Sequence, residues 1–258
     1  MANKHYYAAE SAENYEQKCL CVLLLDTSGS MSEIVDGNIQ STGKKTKIDG
    51  KEYEIVTGGK TKMDYLKEGL LAFYEDIAND PTSSQRLEIS VVAFNSNVNV
   101  LQEPTLITNA EFPTLKAFGG TAMADAINEA IDLVDARKQW YKETGQPYYR
   151  PWIILLTDGE PDYGQDIPGV SARIKHDTFE KKYVFLPIGV GEADKEVLEQ
   201  LEGNYPNGMK LPAMKLNQTK FSTFFKWLSA SMGAVVKADE GQKINLGTDT
   251  SWMEAFTI

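Results

Sequence analysis

Four stretches of the chain are nearly continuous in apolar residues: CLCVLLL (19–25), LEISVVAF (87–94), WIILLT (152–157) and YVFLPIGV (183–190). Short apolar runs between polar segments predict strands of a parallel sheet whose two faces are both covered. VNVLQ (98–102) follows the second run after Ser96-Asn97, a gap short enough for a hairpin, and is expected as an antiparallel edge strand. MKLPAMKL (209–216) is expected as a last strand, at an edge because Pro212 lacks a backbone donor. Between the runs the period lengthens. Met63, Leu66, Leu70, Phe73 and Ile77 recur at spacings of three and four, and so do Met123, Ile127, Ala130, Ile131 and Val134. Phe221, Phe224, Phe225, Leu228, Met232 and Val235 form a third such stripe. These patterns predict amphipathic helices over 61–79, 121–141 and 219–236, with weaker helices over 170–181 and 193–202. Strands alternating with helices predict an α/β, doubly wound, Rossmann-like fold. Its sheet is expected to be mainly parallel and six-stranded, with one antiparallel edge strand and helices on both faces.

Two stretches break the rhythm. Residues 33–60 separate the first strand from its helix, where ordinary connections run to ~2–6 residues. Within them TKIDGKEYEI reads as a hairpin turning at Asp49-Gly50. Residues 237–258 form a polar tail with scattered Trp252 and Phe256. The expected organisation is an N-terminal extension (1–17), one domain (18–236) with a hairpin insert (33–60) near its functional edge, and a C-terminal tail (237–258).

Composition narrows the function. With 37 acidic against 26 basic residues the net charge is −11, which argues against a nucleic-acid partner that needs a basic face. The N-terminal segment lacks the apolar core of a secretory signal, and no apolar run approaches the ~20 residues of a membrane helix. The expectation is a cytoplasmic protein with no membrane partner. Cys19 and Cys21, the two cysteines, are expected on opposite faces of one strand as unbonded core residues. With His5 and His176 as the two histidines, no zinc-type cluster of nitrogen and sulfur ligands can be assembled.

The candidate chemistry lies where strands of such a sheet end, since ligands of open α/β sheets bind beyond the carboxyl ends. Asp26-Thr27-Ser28-Gly29-Ser30 follows the first strand, Asp158 follows the third long run in LLTDGEP, and Thr121 lies in FGGTAMADA before a helix. Each has a plain alternative: the hydroxyls as helix caps, Asp158-Gly159 as a turn. Together they offer hard oxygens and no nitrogen or sulfur, which suits magnesium or manganese. Asp125, one helical turn beyond Thr121, is placed to brace the site but reads more simply as an early helix acid, and Glu160 and Asp162, placed to tune a metal's field, read more simply as solvated loop acids.

D-x-S-x-S, a distant Thr and a distant Asp within T-D-G, in that order, resemble the metal-ion-dependent adhesion site of the von Willebrand factor A domain. The resemblance covers roughly residues 18–236. LLLDTSGSM, GGTAMADAI and LLTDGEP, with the closing FSTFFKWLSASM, look most like small bacterial stand-alone members associated with tellurium resistance. It implies that Asp26, Ser28, Ser30, Thr121 and Asp158 hold a divalent ion, Mg2+ with Mn2+ as the variant. Ser28, Ser30 and Thr121 would supply direct or water-bridged oxygens, and the aspartates would act largely from behind them. It further implies a non-enzymatic module that binds a protein partner, whose Asp or Glu completes the metal's coordination. The setting implied is a bacterial stress or tellurium-resistance system. The insert, with Lys44, Lys45, Lys47, Lys51 and Lys60, is expected to form part of the docking surface.

Rival readings are an enzyme, a nucleotide-binding protein, and a purely structural interaction module whose metal is vestigial. A serine hydrolase would need G-x-S-x-G, but position 28 is Ser where Gly is required, and His176 falls in a helix. TGGKTK (57–62) and GVGEAD (189–194) each lack a glycine of the phosphate-binding fingerprints they approach. The alternative that stands is a magnesium-assisted phosphoester hydrolase.

Overall fold

A computed structural model describes residues 14–48, 51–206, 211–239, 246 and 249–254. One sheet dominates. In chain order its strands are β1 (Cys19–Asp26), β6 (Leu87–Phe94), β7 (Val98–Leu106), β8 (Trp152–Thr157), β9 (Val184–Val190), β10 (Met214–Leu216) and β11 (Met253–Glu254). Their spatial order is β11-β10-β9-β8-β1-β6-β7. Strands β6, β1, β8, β9 and β10 run parallel, and β7 closes one edge antiparallel. The six expected strands are present. A seventh, the two-residue β11, pairs antiparallel with β10 and adds a second antiparallel edge.

Helices cover both faces. On one side lie α1 (Lys62–Asn79) and α6 (Phe221–Lys237); on the other lie α3 (Met123–Thr144), α4 (Ile167–Phe179) and the short α5 (Lys195–Gln200). A one-turn helix, α2 (Ser83–Arg86), leads into β6 and carries no apolar period that would have predicted it. Every residue of β1 is buried because both faces of this central strand meet a helical layer. Leu20, Val22 and Leu24 face α3 and α4, while Cys19, Cys21, Leu23 and Leu25 face α1 and α6. Each such leucine contributes about 1.5–3 kcal/mol relative to an exposed one. The two cysteines are free but share a face, which corrects the expectation of opposite faces: positions i and i+2 of a strand return to the same side.

The insert has a stem and an arm. The stem pairs β2 (Ile34–Asp36) with β5 (Lys60–Thr61), and the arm pairs β3 (Gln40–Ile48) with β4 (Lys51–Thr57). The turn expected at Asp49-Gly50 lies outside the described residues, as do residues 1–13 of the extension, the start of the 209–216 run and Phe256 of the tail. The tail's Trp252 is fully buried against Phe224 and Trp227 of α6. Among the described residues no helix is long and apolar enough to cross a membrane.

Candidate metal centre

Sheet order decides where the polar loops meet. From β1 the chain proceeds through α1 to β6 on one side, and it later returns to place β8 on the other side of β1. The strand order thus reverses between β1 and β8, where open α/β sheets form a ligand crevice. Asp26 ends β1 and Asp158 follows β8, so two carboxylates distant in sequence leave adjacent strands at that crevice.

Asp26 is buried and immobilised. Its Oδ1 accepts from Ser28 N at 2.8 Å, and its Oδ2 accepts from Thr157 Oγ1 at 2.6 Å. Burial pushes its carboxyl up to about 6, against the opposing pull of the bonds from Ser28 and Thr157; the charge of Asp158 adds to the rise. After Asp26 the chain turns into a 3-10 helix over Gly29–Ser32, with Ser28 at its N-cap. Ser28 makes no capping bond there, which sets aside the plain reading of that serine as a cap. Instead Ser30 Oγ donates to Asp158 Oδ1 at 2.7 Å and lies 2.9 Å from Ser28 Oγ. With its proton on Asp158, Ser30 accepts from Ser28. Ser28 and Asp158 are buried and Ser30 is exposed, so the line of oxygens leads from the interior to the surface.

Thr121 arrives on the third loop and does not cap α3 with its side chain, whose N-cap is Ala122. The loop is stitched to both neighbours. Phe118 N donates to Thr27 O at 2.9 Å, Gly29 N to Gly119 O at 3.0 Å, Gly120 N to Ser96 Oγ at 2.7 Å and Asp162 N to Thr121 O at 3.0 Å. Gly119 has φ +76°, and a Cβ there would come within 2.8 Å of Ser96 Oγ, so the close seam requires glycine. A Cβ built on Gly159 would stand 3.5 Å from Thr121 Oγ1 and 3.8 Å from Ser30 Oγ. Both hydroxyls therefore front the same small space above Gly159. The five sequence-identified residues come together through Ser28–Ser30–Asp158, Ser28–Asp26 and this shared space.

The donor set is hydroxyl and carboxylate oxygen, the chemistry a hard divalent cation takes. Among the described residues there is no group of three or more His, Cys, Asp and Glu able to hold a metal, so any ion here depends on the hydroxyls. Asp125 stands in the first turn of α3 and accepts from Gln165 Nε2 at 2.9 Å, in keeping with a helix-start acid. Glu160 and Asp162 are exposed. His176 is 3.0 Å from Asp177 on α4, in a different layer from the serines.

Sequence reasoning missed the partners that hold the site. Thr157 braces Asp26 from the neighbouring strand. Lys62, at the start of α1, places its ammonium 2.9 Å from Asp158 Oδ2 and 2.6 Å from Glu33 Oε2. Burial would lower the Lys62 pKa, but the bonds to Glu33 and Asp158 outweigh it and raise it above the ordinary lysine value. The signal available for Lys62 was its place in TGGKTK, a segment that resembles a phosphate loop and is in fact β5 running into a helix start.

The sequence pattern of the von Willebrand factor type A domain matches residues 21–160, more than half of the chain and the part carrying all five residues. No curated protein sequence matches. Among solved structures, the D319A mutant of the PilB minor pilin from Streptococcus sanguinis is similar at 13% identity and a TM-score of 0.53, over 85% of this chain and 62% of that one. Proximal thread matrix protein 1 from the mussel byssus, with a zinc-occupied MIDAS motif, is similar at 17% identity and a TM-score of 0.51. That match covers 86% of this chain and 49% of the mussel protein. The chain thus spans under two thirds of either structure, and at these identities the likeness is one of fold. On the match over residues 21–160, the chain belongs to the von Willebrand factor type A domain family.

Proposed function

We propose that the chain is a non-enzymatic, divalent-metal-dependent protein-binding module. One observation carries the reading: hydroxyls and carboxylates from three separated loops converge at the β1–β8 crevice, with Ser30 exposed at the mouth. Asp26, Ser28, Ser30, Thr121 and Asp158 would hold the ion, with Mg2+ the better fit and Mn2+ acceptable on donor chemistry. When bound, the ion offers an electrophilic position to an Asp or Glu carboxylate of a partner protein. The chain's own residues prepare that position. Ser28, Ser30 and Thr121 are neutral and leave the ion's charge for the incoming group. Asp26 is anchored by Thr157, and Asp158 is shared between Ser30 and Lys62, so neither carboxylate must be reorganised.

The rim supports a protein partner. Phe118 and Tyr163, on the loops that bring Thr121 and Asp158, are exposed aromatics of the kind interfaces use. Lys44, Lys45 and Lys47 are exposed on the β3–β4 arm and favour an acidic surface. The mussel protein's zinc-occupied MIDAS motif supports a divalent ion on this fold. The resemblance of the motif surroundings to small bacterial stand-alone members supports a role in a bacterial stress or tellurium-resistance system.

The test is affinity capture from the native host with the wild-type chain and Ser28→Ala, in Mg2+ and again in EDTA. A partner retained by wild type in Mg2+, released by EDTA and missed by the variant is expected. Equal capture in EDTA refutes the reading, and metal-dependent phosphoester turnover would replace it with hydrolysis.

A further inference from the structure

The crevice already contains a cation of the protein's own. Lys62 is 3% exposed, and its ammonium lies 2.9 Å from Asp158 Oδ2. The other oxygen of that carboxylate, Oδ1, accepts from Ser30 Oγ at 2.7 Å. One carboxylate therefore joins the ammonium to the hydroxyl set. Helix chemistry does not ask for a lysine here. Lys62 is the first residue of α1, where the helix's partial positive end disfavours a cation. Burial does not ask for it either, since an ammonium leaves water only at a cost that pairing must offset.

The pairing is built by the stem of the insert. β2 and β5 run antiparallel, Lys62 N donates to Glu33 O at 3.1 Å, and Tyr65 of α1 donates to Asp36 Oδ2 at 2.7 Å. The stem thus delivers Glu33 and Lys62 to the crevice as a unit. Glu33 is 63% exposed at its side chain, so water screens much of its charge. Asp158 is buried and carries the stronger interaction.

We infer that Lys62 is a resident counter-cation of the candidate metal centre, holding Asp158 in place without an ion and opposing the ion's entry when it comes. The inference rests on the metal reading of the site. Asp26 and Asp158 together carry two negative charges, and Lys62 cancels one of them. A divalent ion therefore meets a weaker field than the carboxylates alone would give. A merely structural lysine predicts the opposite sign: its loss would loosen Asp158 and weaken metal binding, whereas loss of an opposing cation tightens it.

Mn2+ binding, followed through the EPR signal of the free ion, and thermal unfolding in EDTA and in Mn2+ test this on the full chain. Lys62→Gln is expected to bind Mn2+ about tenfold or more tightly than wild type. It should melt lower than wild type in EDTA and gain more from Mn2+. Lys62→Arg keeps the charge and should stay near wild type. If Lys62→Gln does not fold, Glu33→Gln replaces it. That exposed change leaves the ammonium wholly to Asp158 and should weaken Mn2+ binding several-fold. Equal or weaker binding by Lys62→Gln, or equal or tighter binding by Glu33→Gln, overturns the inference and leaves the metal reading standing. Binding by Lys62→Gln alone supports it. No binding by any form at millimolar Mn2+ overturns the metal reading and the inference together.

Discussion

Ser28→Ala separates the candidate ligand from the fold. The hydroxyl it removes meets Ser30 Oγ at 2.9 Å. The Ser28 backbone N–H still donates to Asp26 Oδ1 at 2.8 Å, and Ser30 still donates to Asp158 Oδ1 at 2.7 Å. The metal-free variant therefore loses one neutral hydroxyl bond, about 1 kcal/mol, or roughly 2–4 °C in Tm for a chain of this size. The metal-bound form loses more, because a group that ligates or orients contributes about 10–100-fold in metal affinity. At about 100 times its own Kd, Mg2+ stabilises wild type by about 2.7 kcal/mol. For a variant that binds about 100-fold more weakly, the same Mg2+ stands at the Kd and contributes about 0.4 kcal/mol. The stability gap between the two proteins is then about 1 kcal/mol in EDTA and about 3 kcal/mol in Mg2+. Calorimetry in the two buffers measures both gaps. If they are equal, Ser28 Oγ supports only the fold and the assignment of this serine is wrong.

Two predictions concern the frame at the end of the sheet opposite the site. Glu88 is buried and takes both Arg137 Nε (2.9 Å) and Nη2 (2.7 Å), with Tyr141 OH at 2.6 Å. Glu88→Gln removes the buried carboxylate that balances the charge of the largely buried guanidinium and should cost about 3–5 kcal/mol in denaturant unfolding, and a loss under about 1 kcal/mol would contradict this. The Asp80 carboxyl is held down at about 2, first by Lys237 Nζ at 2.7 Å and then by Ser83 N at 2.7 Å. A depressed pKa stabilises the fold above the unfolded value of about 3.9, and that stabilisation drains as pH falls toward 2. Both partners are partly exposed, so screening reduces the effect to under about 1 kcal/mol. Asp80→Asn should therefore be less stable than wild type near neutral pH and lose less on acidification; parallel urea-stability curves would argue against it.

Much of this architecture was legible along the chain. Both expected boundaries of β6 and β8 coincide with the observed ones, because a strand buried on both faces must be apolar along its whole length. The helices α1, α3 and α6 were legible through stripes that face the sheet, whereas α4 and the short α5 showed no such stripe and were only weakly expected. β11 was not, because two residues carry no period; its pairing with β10 accompanies the burial of Trp252 against Phe224 and Trp227. The shared face of Cys19 and Cys21 was misjudged although strand geometry alone decides it.

For the candidate site, the sequence alone determined which oxygens are offered: an Asp and two Ser after the first strand, a Thr after paired glycines, and an Asp after a third apolar run. Two of those choices are local, since the loops of Asp26 and Asp158 begin where an apolar run ends, while Thr121 lies on the long connection from β7 to α3. Only the tertiary structure decided that they share one space. Ser30 and Asp158 are 128 positions apart, and Lys62 and Asp158 are 96 apart. Such pairs meet because the strand order reverses between β1 and β8 and because the stem of the insert returns Lys62 to the crevice. Burial patterns are written residue by residue, but which buried charge finds which partner depends on how the strands are ordered, and no local period records that order.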